Sequence, residues 1–460
     1  MIDKNGNVCT HIVAHDLCVG CGVCAGVCPA NNLTMKWNAD GCYQPIDGGR
    51  CLSGCHLCLD VCPFQDHEEN ENTIAAELFG SIDGIEHTQE TGYYSGCYVG
   101  YANGGYRERG ASGGIASWLL ATLLEHGDVD RVVCVRPNPD TEKLFVYAVL
   151  DNADDVRGAS KSAYYPVEMS DVIQAILHDD KRYAIIGLPC FLKAMRLAMG
   201  RNALLRKRVS VMIGLVCGHL KSKNFAQALA LAISNSSQPA SIVFREKVSG
   251  KSAGDYAISI ACPDGHRCSA PLAEVMPDTW SGDLFMLRAC GFCDDVFAEV
   301  ADAVCMDAWL PSYTPDWRGT SIVLVRSKQI QQLLQAGIEQ QNLSLELIHI
   351  DQVVASQAGV IDRKRRMLSY RLWLAQRTGA VTPGKRMRPQ RPQLMKRLYL
   401  NVKEDLRAAS HVAYGENQAA MGLQQRNERM RSARRRLACA AFAMRVRALL
   451  LRILRMVRGR

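Results

Sequence analysis

Apolar runs alternate with amphipathic stretches through the middle of the chain. Residues 130–135, 182–190 and 209–217 are rich in apolar residues and predict buried strands. Residues 191–199 and 225–233 follow the second and third of these strands and have the apolar spacing of helices. Strand–helix alternation of this kind predicts a largely parallel α/β sheet. Ligands of such sheets bind beyond the carboxyl ends of the strands.

Predicted strands and helices also lie on both sides of residues 130–233. Residues 92–100 alternate small and aromatic side chains and predict a strand, whereas residues 118–126 have helical apolar spacing. Towards the carboxyl end, residues 321–326 and 344–350 predict two strands around a helix at residues 329–340.

Two changes of composition divide the chain into three parts. Residues 66–72 are polar and acidic and predict a linker, and the composition turns basic after about residue 361. We therefore expect a small α+β module at residues 1–75, an α/β domain at residues 76–365, and a basic linker with a helical tail at residues 366–460.

Length and composition are those of a soluble globular protein of two or three domains, with 460 residues and 48% hydrophobic residues. The first residues lack the basic end and apolar run of a signal peptide, and no charge-free stretch is long enough to span a bilayer. In this setting the 20 cysteines predict metal ligation in a reducing compartment rather than disulfides. We expect a cytoplasmic protein.

The positive charge is concentrated at the end of the chain. Residues 426–460 contain twelve arginines and one acid, for a net charge of +11, so residues 1–425 carry −3 of the total of +8. This distribution argues against a nucleic-acid-binding body and for a local electrostatic contact of the tail.

Residues 437–457 predict an amphipathic helix. The apolar face consists of Cys439, Phe442, Val446, Leu449, Leu450, Ile453 and Val457, and Arg434, Arg445 and Arg452 stand opposite. This pattern is typical of a helix that lies on an anionic membrane surface. A helix docked on a partner or on the protein's own body, or a nucleic-acid arm, remains open as an alternative.

Two cysteine runs near the amino terminus indicate iron–sulfur chemistry. The runs are Cys18, Cys21, Cys24 and Cys28, followed by Pro29, and Cys51, Cys55, Cys58 and Cys62, followed by Pro63. The first run has the bacterial ferredoxin spacing, and in two-cluster ferredoxins the fourth cysteine of each run binds the other cluster. The predicted sets are therefore Cys18, Cys21, Cys24 and Cys62 for one 4Fe–4S cluster, and Cys51, Cys55, Cys58 and Cys28 for a second.

The second run departs from the usual spacing. Three residues, rather than two, separate Cys51 from Cys55, and Cys42 is the nearest substitute for Cys51 as a ligand. Zinc binding and disulfides are the alternative uses of such cysteines. Two complete runs that each end in Cys-Pro favour clusters.

Further candidate residues lie in the predicted α/β domain. Cys190 and Cys217 end two predicted strands, and they can meet Cys290 and Cys293 of a C-x-x-C motif in a third 4Fe–4S cluster, or all four can be buried structural cysteines. Ser112 is a candidate N-cap, and Gly113 and Gly114 allow a ligand to approach the backbone, although an ordinary turn has the same sequence.

These residues resemble a known family. The segments 187–190, 217–219, 244–247 and 290–293 resemble those of the coenzyme F-420 hydrogenase and dehydrogenase beta subunits. Ser112-Gly113-Gly114 and the cluster at residues 160–164 fit the amino-terminal half of that family. Short segments at 307–309, 319–321 and 325–327 fit its carboxyl-terminal half. The match covers roughly residues 15–330 in consistent order.

The resemblance implies an FAD flavoprotein with a 4Fe–4S cluster on the four central cysteines. It implies that the turn of Ser112, Gly113 and Gly114 lies against flavin or substrate, and that Ser160, Lys161 and Tyr164 contribute to the cofactor site. Lys161 near the flavin would stabilise its reduced anion, whereas the alternative is a surface lysine. Lys161 and His219 are the candidate catalytic residues, and a structural role of His219 beside the cluster stays open.

The expected architecture is an α+β ferredoxin-like module fused to an α/β flavin-binding domain with a basic helical tail. We expect an iron–sulfur flavoprotein oxidoreductase that exchanges electrons with a protein such as ferredoxin and acts on a small organic substrate. The alternatives are a non-catalytic electron-transfer subunit and an accessory protein of bacterial polysaccharide synthesis. A homo-oligomer is compatible with the sequence, and no nucleic-acid partner is expected.

Overall fold

The amino-terminal part is a small α+β module in the computed structural model. The structure describes residues 6–236, 238–415 and 422–458, except for the side chains of residues 445 and 447–458. Two short strands pair antiparallel, with Leu33 opposite Asp47. The elements of this part are α1 Val8–His11, α2 Val23–Gly26, β1 Leu33–Trp37, β2 Tyr43–Asp47, α3 Leu57–Asp60 and α4 Glu71–Phe79.

An eight-stranded sheet forms the centre of the remaining chain. The strands that follow the module are β3 Glu86–Thr88, β4 Gly92–Tyr94, β5 Gly96–Ala102, β6 Arg131–Pro137, β7 Phe145–Leu150, β8 Tyr183–Gly187, β9 Val209–Leu215, β10 Ser241–Glu246, β11 Ala257–Ala261, β12 Arg267–Pro271, β13 Ala303–Asp307, β14 Ser321–Val325 and β15 Leu343–Leu347. The large sheet has the order β15-β5-β14-β13-β9-β8-β6-β7, and β10, β11 and β12 form a smaller antiparallel sheet.

The large sheet is mixed, so the prediction of a largely parallel sheet is wrong. Only the pairs β6–β8, β8–β9 and β9–β13 of this sheet are parallel, and its other four pairs are antiparallel. Parallel neighbours need a crossover connection, usually a helix. Helices connect β8 to β9, whereas β6 and β7 form a hairpin. The strand–helix alternation therefore holds only in the centre of the sheet.

Helices cover both faces of the sheet and continue to the carboxyl end. They are α5 Tyr106–Arg109, α6 Ile115–Glu125, α7 Ala153–Gly158, α8 Ser170–His178, α9 Pro189–Arg201, α10 Ala203–Arg208, α11 Lys223–Ser234, α12 Leu272–Val275, α13 Lys328–Glu339, α14 Ile350–Ser356, α15 Ala358–Asp362, α16 Leu368–Thr378, α17 Leu394–Tyr414 and α18 Leu423–Arg458. Two 3₁₀ turns, Val13–His15 and Arg288–Phe292, and a π-helical turn, Arg363–Met367, complete the set.

Most predicted elements of the central region are confirmed. Strands β6, β8 and β9 and helices α9, α11 and α13 begin and end within four residues of their predicted ends. Helix α6 begins earlier than predicted, and its N-cap is Gly114 with φ of +79°, so the prediction of Ser112 as N-cap is wrong. Glycine adopts this left-handed conformation without the steric cost that a Cβ would impose.

The module packs directly on the α/β domain. The Met169 amide donates to the Cys21 carbonyl at 2.9 Å, and the Gln174 side chain donates to the Gly26 carbonyl at 2.6 Å. A Cβ on Gly26 would come within 2.8 Å of Ile173. The first cysteine run is therefore held against α8 by hydrogen bonds to its backbone carbonyls, and the close contact at Gly26 leaves no room for a larger residue there.

A buried ion network connects three parts of the chain. Lys193 of α9 pairs with Glu71 of α4 at 3.2 Å. Arg386 pairs with Glu299 at 2.6 Å and with Asp294 at 3.3 Å. Arg386 lies in the segment predicted as a linker, which has no helix or strand but is anchored through these buried charges. Buried pairs of this kind are costly to break because the remaining charge is left without a partner.

The two carboxyl-terminal helices pack against each other, and the first one also packs on the body. The His411 ring bonds to the Met286 carbonyl at 3.0 Å, and the Phe285 amide donates to Ser410 Oγ at 2.9 Å. In the described part of the chain, no helix combines the length and apolar character needed to cross a membrane.

Arg326 fastens the loop that leads from the C-x-x-C motif into β13. Its side chain is fully buried. The guanidinium donates, at 2.9 to 3.2 Å, to the carbonyls of Thr91, Tyr93, Phe297, Ala298 and Ala301. One side chain thus satisfies five backbone acceptors from two separate segments.

We predict that Arg326→Met lowers the free energy of unfolding by about 3 kcal/mol or more, because the buried carbonyls lose their donor. Thermal unfolding of the variant and the wild type measures the effect. Arg318→Met is the matched control, since Arg318 is half-exposed and pairs with Asp316 at the surface. Its expected change is within about 1 kcal/mol. Equal changes in the two variants would contradict the prediction.

Candidate iron–sulfur site

The first cysteine set comes together through two left-handed glycines. Gly20 has φ of +70° and Gly22 has φ of +78°. A Cβ on Gly20 would lie 2.6 Å from the Tyr43 carbonyl oxygen. These turns let the chain curl between Cys18 and Cys24. Burial raises the pKa of Cys24 well above its usual value, and the neighbouring thiols of Cys21, Cys18 and Cys62 raise it further.

The second cysteine set is more exposed. Burial raises the pKa of Cys58, and the thiols of Cys51 and Cys55 add to this. The pKa of Cys51 is raised by burial and by Cys55, Asp47 and Cys28. Cys51 itself is exposed at the surface. Cys62 is thus a neighbour of Cys24 in the first run, and Cys28 is a neighbour of Cys51 in the second, which is compatible with the crossing rule.

Cys42 is buried, whereas Cys51 is exposed. Burial raises its pKa well above the usual value, followed by the effects of Asp40, Cys290 and Cys18. Its thiol is therefore close to the first set and to the central cysteines rather than to the second set. The arrangement favours Cys51 over Cys42 as the ligand of the second set.

The four central cysteines also converge. Cys190 is the second residue of α9, Cys217 follows β9, and Cys290 belongs to the 3₁₀ turn that ends one residue before Cys293. Burial raises the pKa of Cys190 well above its usual value, and Cys293, Cys217 and Cys290 raise it further. The first turn of a helix favours the thiolate because its backbone N–H groups point towards the side chain.

Several backbone amides donate to cysteine sulfurs. The Gly20 amide lies 3.3 Å from Cys18 Sγ, the Asn32 amide 3.4 Å from Cys28 Sγ, and the Leu220 amide 3.3 Å from Cys290 Sγ. Hydrogen bonds of this kind stabilise the sulfur charge in iron–sulfur sites.

A cation that the sequence did not indicate completes the central set. Lys364 Nζ donates to Cys293 Sγ at 3.1 Å and to the Asp295 carbonyl at 2.7 Å. Burial alone would lower the pKa of Lys364. The electrostatic effects of Cys293 and Cys217 act in the opposite direction, and the net result is a pKa above the ordinary value. The only sequence signal was the basic composition after residue 361. A buried ammonium at the sulfurs fits a negatively charged group held by four thiolates.

His219 is fixed beside the central set. Its ring is buried, and burial together with Lys221 and Arg363 lowers the pKa of His219 well below its usual value. Arg363 bonds to Nδ1 at 2.9 Å. Because a guanidinium can only donate, Nδ1 accepts and Nε2 carries the hydrogen. Nε2 has no hydrogen-bond partner in the described structure. The histidine is therefore a buried neutral donor.

The predicted ligand turn is held by the protein itself. Ser112 Oγ donates to the Thr320 carbonyl at 3.0 Å, and the Gly113 amide donates to Ser321 Oγ at 2.9 Å. Lys247 Nζ donates to the Ser112 carbonyl at 2.9 Å. A Cβ on Gly113 would lie 2.6 Å from the Gly100 carbonyl oxygen, so the close approach at this glycine is to backbone.

A small basic cleft lies beside this turn. It encloses a volume of about 10 Å³, room for about one water molecule, and is lined partly by Arg245, Lys247 and Gly319. Burial lowers the pKa of Lys247 to about 8, and the charges of Lys161 and Arg107 contribute. Lys161 is thus close to the cleft, although its side chain is exposed. Typical ligand pockets have roughly 300–1,000 Å³, so this cleft is far smaller than a cofactor pocket.

Tyr164 links the cleft to the histidine. Its ring contacts Trp280 at a centroid distance of 4.9 Å, and Trp280 lies 5.4 Å from His219. Ser160 is half-buried, and the structure does not bring it into a contact with the central cysteines.

Comparison with protein families decides the affiliation of the chain. Residues 97–174 match the amino-terminal part, and residues 180–350 the carboxyl-terminal part, of the coenzyme F420 hydrogenase/dehydrogenase beta subunit, together more than half of the chain. The chain belongs to this family. Residues 11–34 match a 4Fe–4S binding domain.

Within the family match lie Ser112, Lys161, Tyr164 and all four central cysteines. The 4Fe–4S match covers the first cysteine run. Lys364, Lys385 and Arg386 lie beyond residue 350 and thus outside the matched ranges. The part of the site within the matched ranges is therefore completed by a carboxyl-terminal segment of this chain.

Two curated relatives have named activities. A protein named as one subunit of the F(420)H(2) dehydrogenase of Methanosarcina mazei is 25% identical over 214 residues, which cover 45% of this chain and 54% of that protein. Coenzyme F420-dependent sulfite reductase of Methanocaldococcus jannaschii is 26% identical over 226 residues, which cover 45% of this chain and 31% of that protein. The chain thus spans about half of the first relative and about a third of the second.

One solved structure is reported for comparison. A chain of the F420-reducing [NiFe] hydrogenase complex from Methanosarcina barkeri superposes with a TM-score of 0.49 and 16% sequence identity. The superposition covers 66% of this chain and 99% of that chain.

We predict that Cys51→Ser removes iron from one cluster, up to about four atoms per chain, because the second set loses a ligand. Cys42→Ser is the control and is expected to keep the wild-type iron content, since Cys42 belongs to neither of the two ligand sets that the spacing predicts. Iron and sulfide analysis of anaerobically purified proteins measures both. Iron loss in Cys42→Ser without loss in Cys51→Ser would reverse the assignment.

Proposed function

We propose that this protein is an iron–sulfur flavoprotein oxidoreductase that transfers electrons between a protein partner such as ferredoxin and a small organic substrate. The observations that carry the proposal are the 4Fe–4S match of the first cysteine run and the proximity of the four central cysteines to one another and to Lys364. The names of the two curated relatives, one part of a dehydrogenase and the other a reductase, support the reaction class.

The residues between the first and central sets support electron transfer between them. Cys18 and Cys290 both raise the pKa of Cys42, so the Cys42 thiol is near both sets. Burial raises the pKa of Tyr147, and Cys190 and Cys21 both contribute. The Arg288 side chain donates to the His15 carbonyl at 2.5 Å and holds the two segments together. The exposed Cys51 places the second set nearest to the surface, where a protein partner can approach.

FAD is the cofactor that the family resemblance implies, and we propose that it lies between the basic cleft and the central cysteines. It would supply the exchange between one-electron and two-electron chemistry. Lys161 and Lys247 give the cleft positive charge that suits a pyrophosphate, whereas Arg245 is paired with Asp307 at 2.8 Å. His219 Nε2 offers a buried hydrogen-bond donor without a partner, which suits a carbonyl or ring nitrogen of the cofactor or the substrate.

A non-catalytic electron-transfer subunit is the second candidate. The observation in its favour is the name of the first relative, which is one part of a dehydrogenase assembled from several chains. In this case the protein would contain clusters, and a partner enzyme would carry the substrate site.

We predict about twelve iron atoms, equal sulfide and one FAD per chain in anaerobically purified protein. After reduction with dithionite and removal of the excess, the flavin is expected to stay reduced until a small-molecule oxidant, such as oxidised coenzyme F420, is added. Absorbance spectra follow the reoxidation. Protein that contains clusters but no flavin would support the second candidate and contradict the first.

The carboxyl-terminal helix offers a separate surface, for which we propose contact with an anionic membrane. Met430 and Leu437 of α18 are buried, so the first half of this helix docks on the rest of the protein. Further along, Phe442 is 69% exposed and Val446 is 40% exposed. The side chains at positions 445 and 447–458, including the remaining predicted apolar face, lie outside the described residues.

We expect co-sedimentation with vesicles that contain phosphatidylserine and not with phosphatidylcholine vesicles, because both basic charge and apolar surface are needed. Phe442→Asp combined with Val446→Asp is expected to weaken the binding at least about tenfold. Leu204→Asp, on another exposed surface, is the control. Equal binding to both kinds of vesicle would contradict the proposed contact.

A further inference from the structure

An uncommon turn of helix carries a buried lysine into the central site. Residues Arg363–Met367 form a π-helical turn between α15 and α16. Such turns are rare and are found frequently at functional sites. Within this turn, Lys364 is only 3% exposed. Burial of an ammonium is costly unless a partner of opposite charge is present, so the partner of Lys364 decides its role.

The contacts of Lys364 differ from those of other buried lysines. Lys403 pairs with Asp283 at 2.8 Å, and Lys385 pairs with Asp294 at 3.5 Å. Lys364 forms no ion pair with a carboxylate among the described residues, and its nearest side-chain partner is Cys293 Sγ at 3.1 Å. The sulfur therefore takes the place that a carboxylate has at the other two lysines.

Lys221 provides an internal comparison. It is also buried, and its Nζ donates only to the carbonyls of Thr279 and Leu284. Burial lowers the pKa of Lys221 far below its ordinary value. Lys364 is equally buried, and the contact that sets it apart from Lys221 is the one to Cys293 Sγ at 3.1 Å.

A cation at this position has a defined effect on a cluster. Four thiolates give an iron–sulfur cluster a net negative charge, and one-electron reduction adds another negative charge without any proton. A fixed ammonium stabilises the more negative form more strongly, and burial prevents solvent from screening the interaction. Hydrogen bonds and charges at the sulfurs are known determinants of cluster potentials.

We propose that Lys364 is a positioning residue that raises the reduction potential of the cluster on Cys190, Cys217, Cys290 and Cys293. The inference rests on the proposed function, since it requires a redox-active group at the central cysteines. Lys364 donates its hydrogen bond in both redox states, so one electron enters the site and no proton moves.

The test is a redox titration of anaerobic full-length protein with dithionite, followed by electron paramagnetic resonance. Cys290→Ser identifies the signal of the central cluster. At a fixed potential, Lys364→Gln is expected to lower the ratio of reduced to oxidised central cluster by about tenfold or more, because the charge is lost. The signals of the other two clusters are expected to stay unchanged.

Two variants separate charge from structure. Lys364→Arg keeps the charge and is expected to retain the ratio within about threefold of the wild type. Lys403→Met removes a buried lysine that pairs with a carboxylate and is expected to leave the central signal unchanged. Iron and sulfide analysis accompanies every variant.

Each outcome decides the inference. An unchanged ratio in Lys364→Gln with full iron content, or an equal shift in Lys403→Met, overturns it while the proposed function stands. Loss of central iron in Lys364→Gln but not in Lys364→Arg also overturns it, in favour of a structural role. A wild-type protein without a third cluster signal contradicts the proposed function and the inference together.

Discussion

Compensation of charge at buried sulfur is the constraint on which the centre of this molecule depends. Four cysteines from three separate segments meet inside the protein, where isolated thiolates would be unfavourable. Burial already raises the pKa of Cys217 and Cys290, so neutral thiols are the stable form of the unliganded residues. The amide of Leu220 and the ammonium of Lys364 offset negative charge at these sulfurs. The surroundings are thus arranged for a group that keeps the sulfurs ionised.

The mixed sheet explains how these cysteines reach one place. Strands β8 and β9 are parallel neighbours, so Cys190 and Cys217 leave the same edge of the sheet. The C-x-x-C turn belongs to the long segment before β13 and reaches the same edge. Arg326 fastens the loop that follows this turn. Antiparallel strands on both sides do not alter this central pair. The site therefore depends on a short parallel core rather than on a wholly parallel sheet.

The amino-terminal module and the carboxyl-terminal segments close the site from opposite directions. Glu71 of the module, Asp294 beside the C-x-x-C motif and Arg386 of the late segment meet in one buried ion network. Helix α17 adds Lys403, which neutralises Asp283. Charged residues far apart in the chain thus hold the cysteine-bearing segments in register. A segment with the composition of a linker is anchored to the interior, because its Lys385 and Arg386 pair with buried carboxylates.

The sequence by itself determined the 4Fe–4S character of the first cysteine run and the central strands and helices. These depend on local spacing and on apolar periodicity, which are written directly in the chain. Only the tertiary structure decided the antiparallel flanks of the sheet, the position of Cys42 between two sets, and the roles of Lys364, Arg363 and Arg386. A run of basic residues has the same composition whether it faces solvent or buried sulfur. The partners that identify Lys364 as buried beside sulfur are Cys293 and Asp295, which lie about seventy residues earlier in the chain.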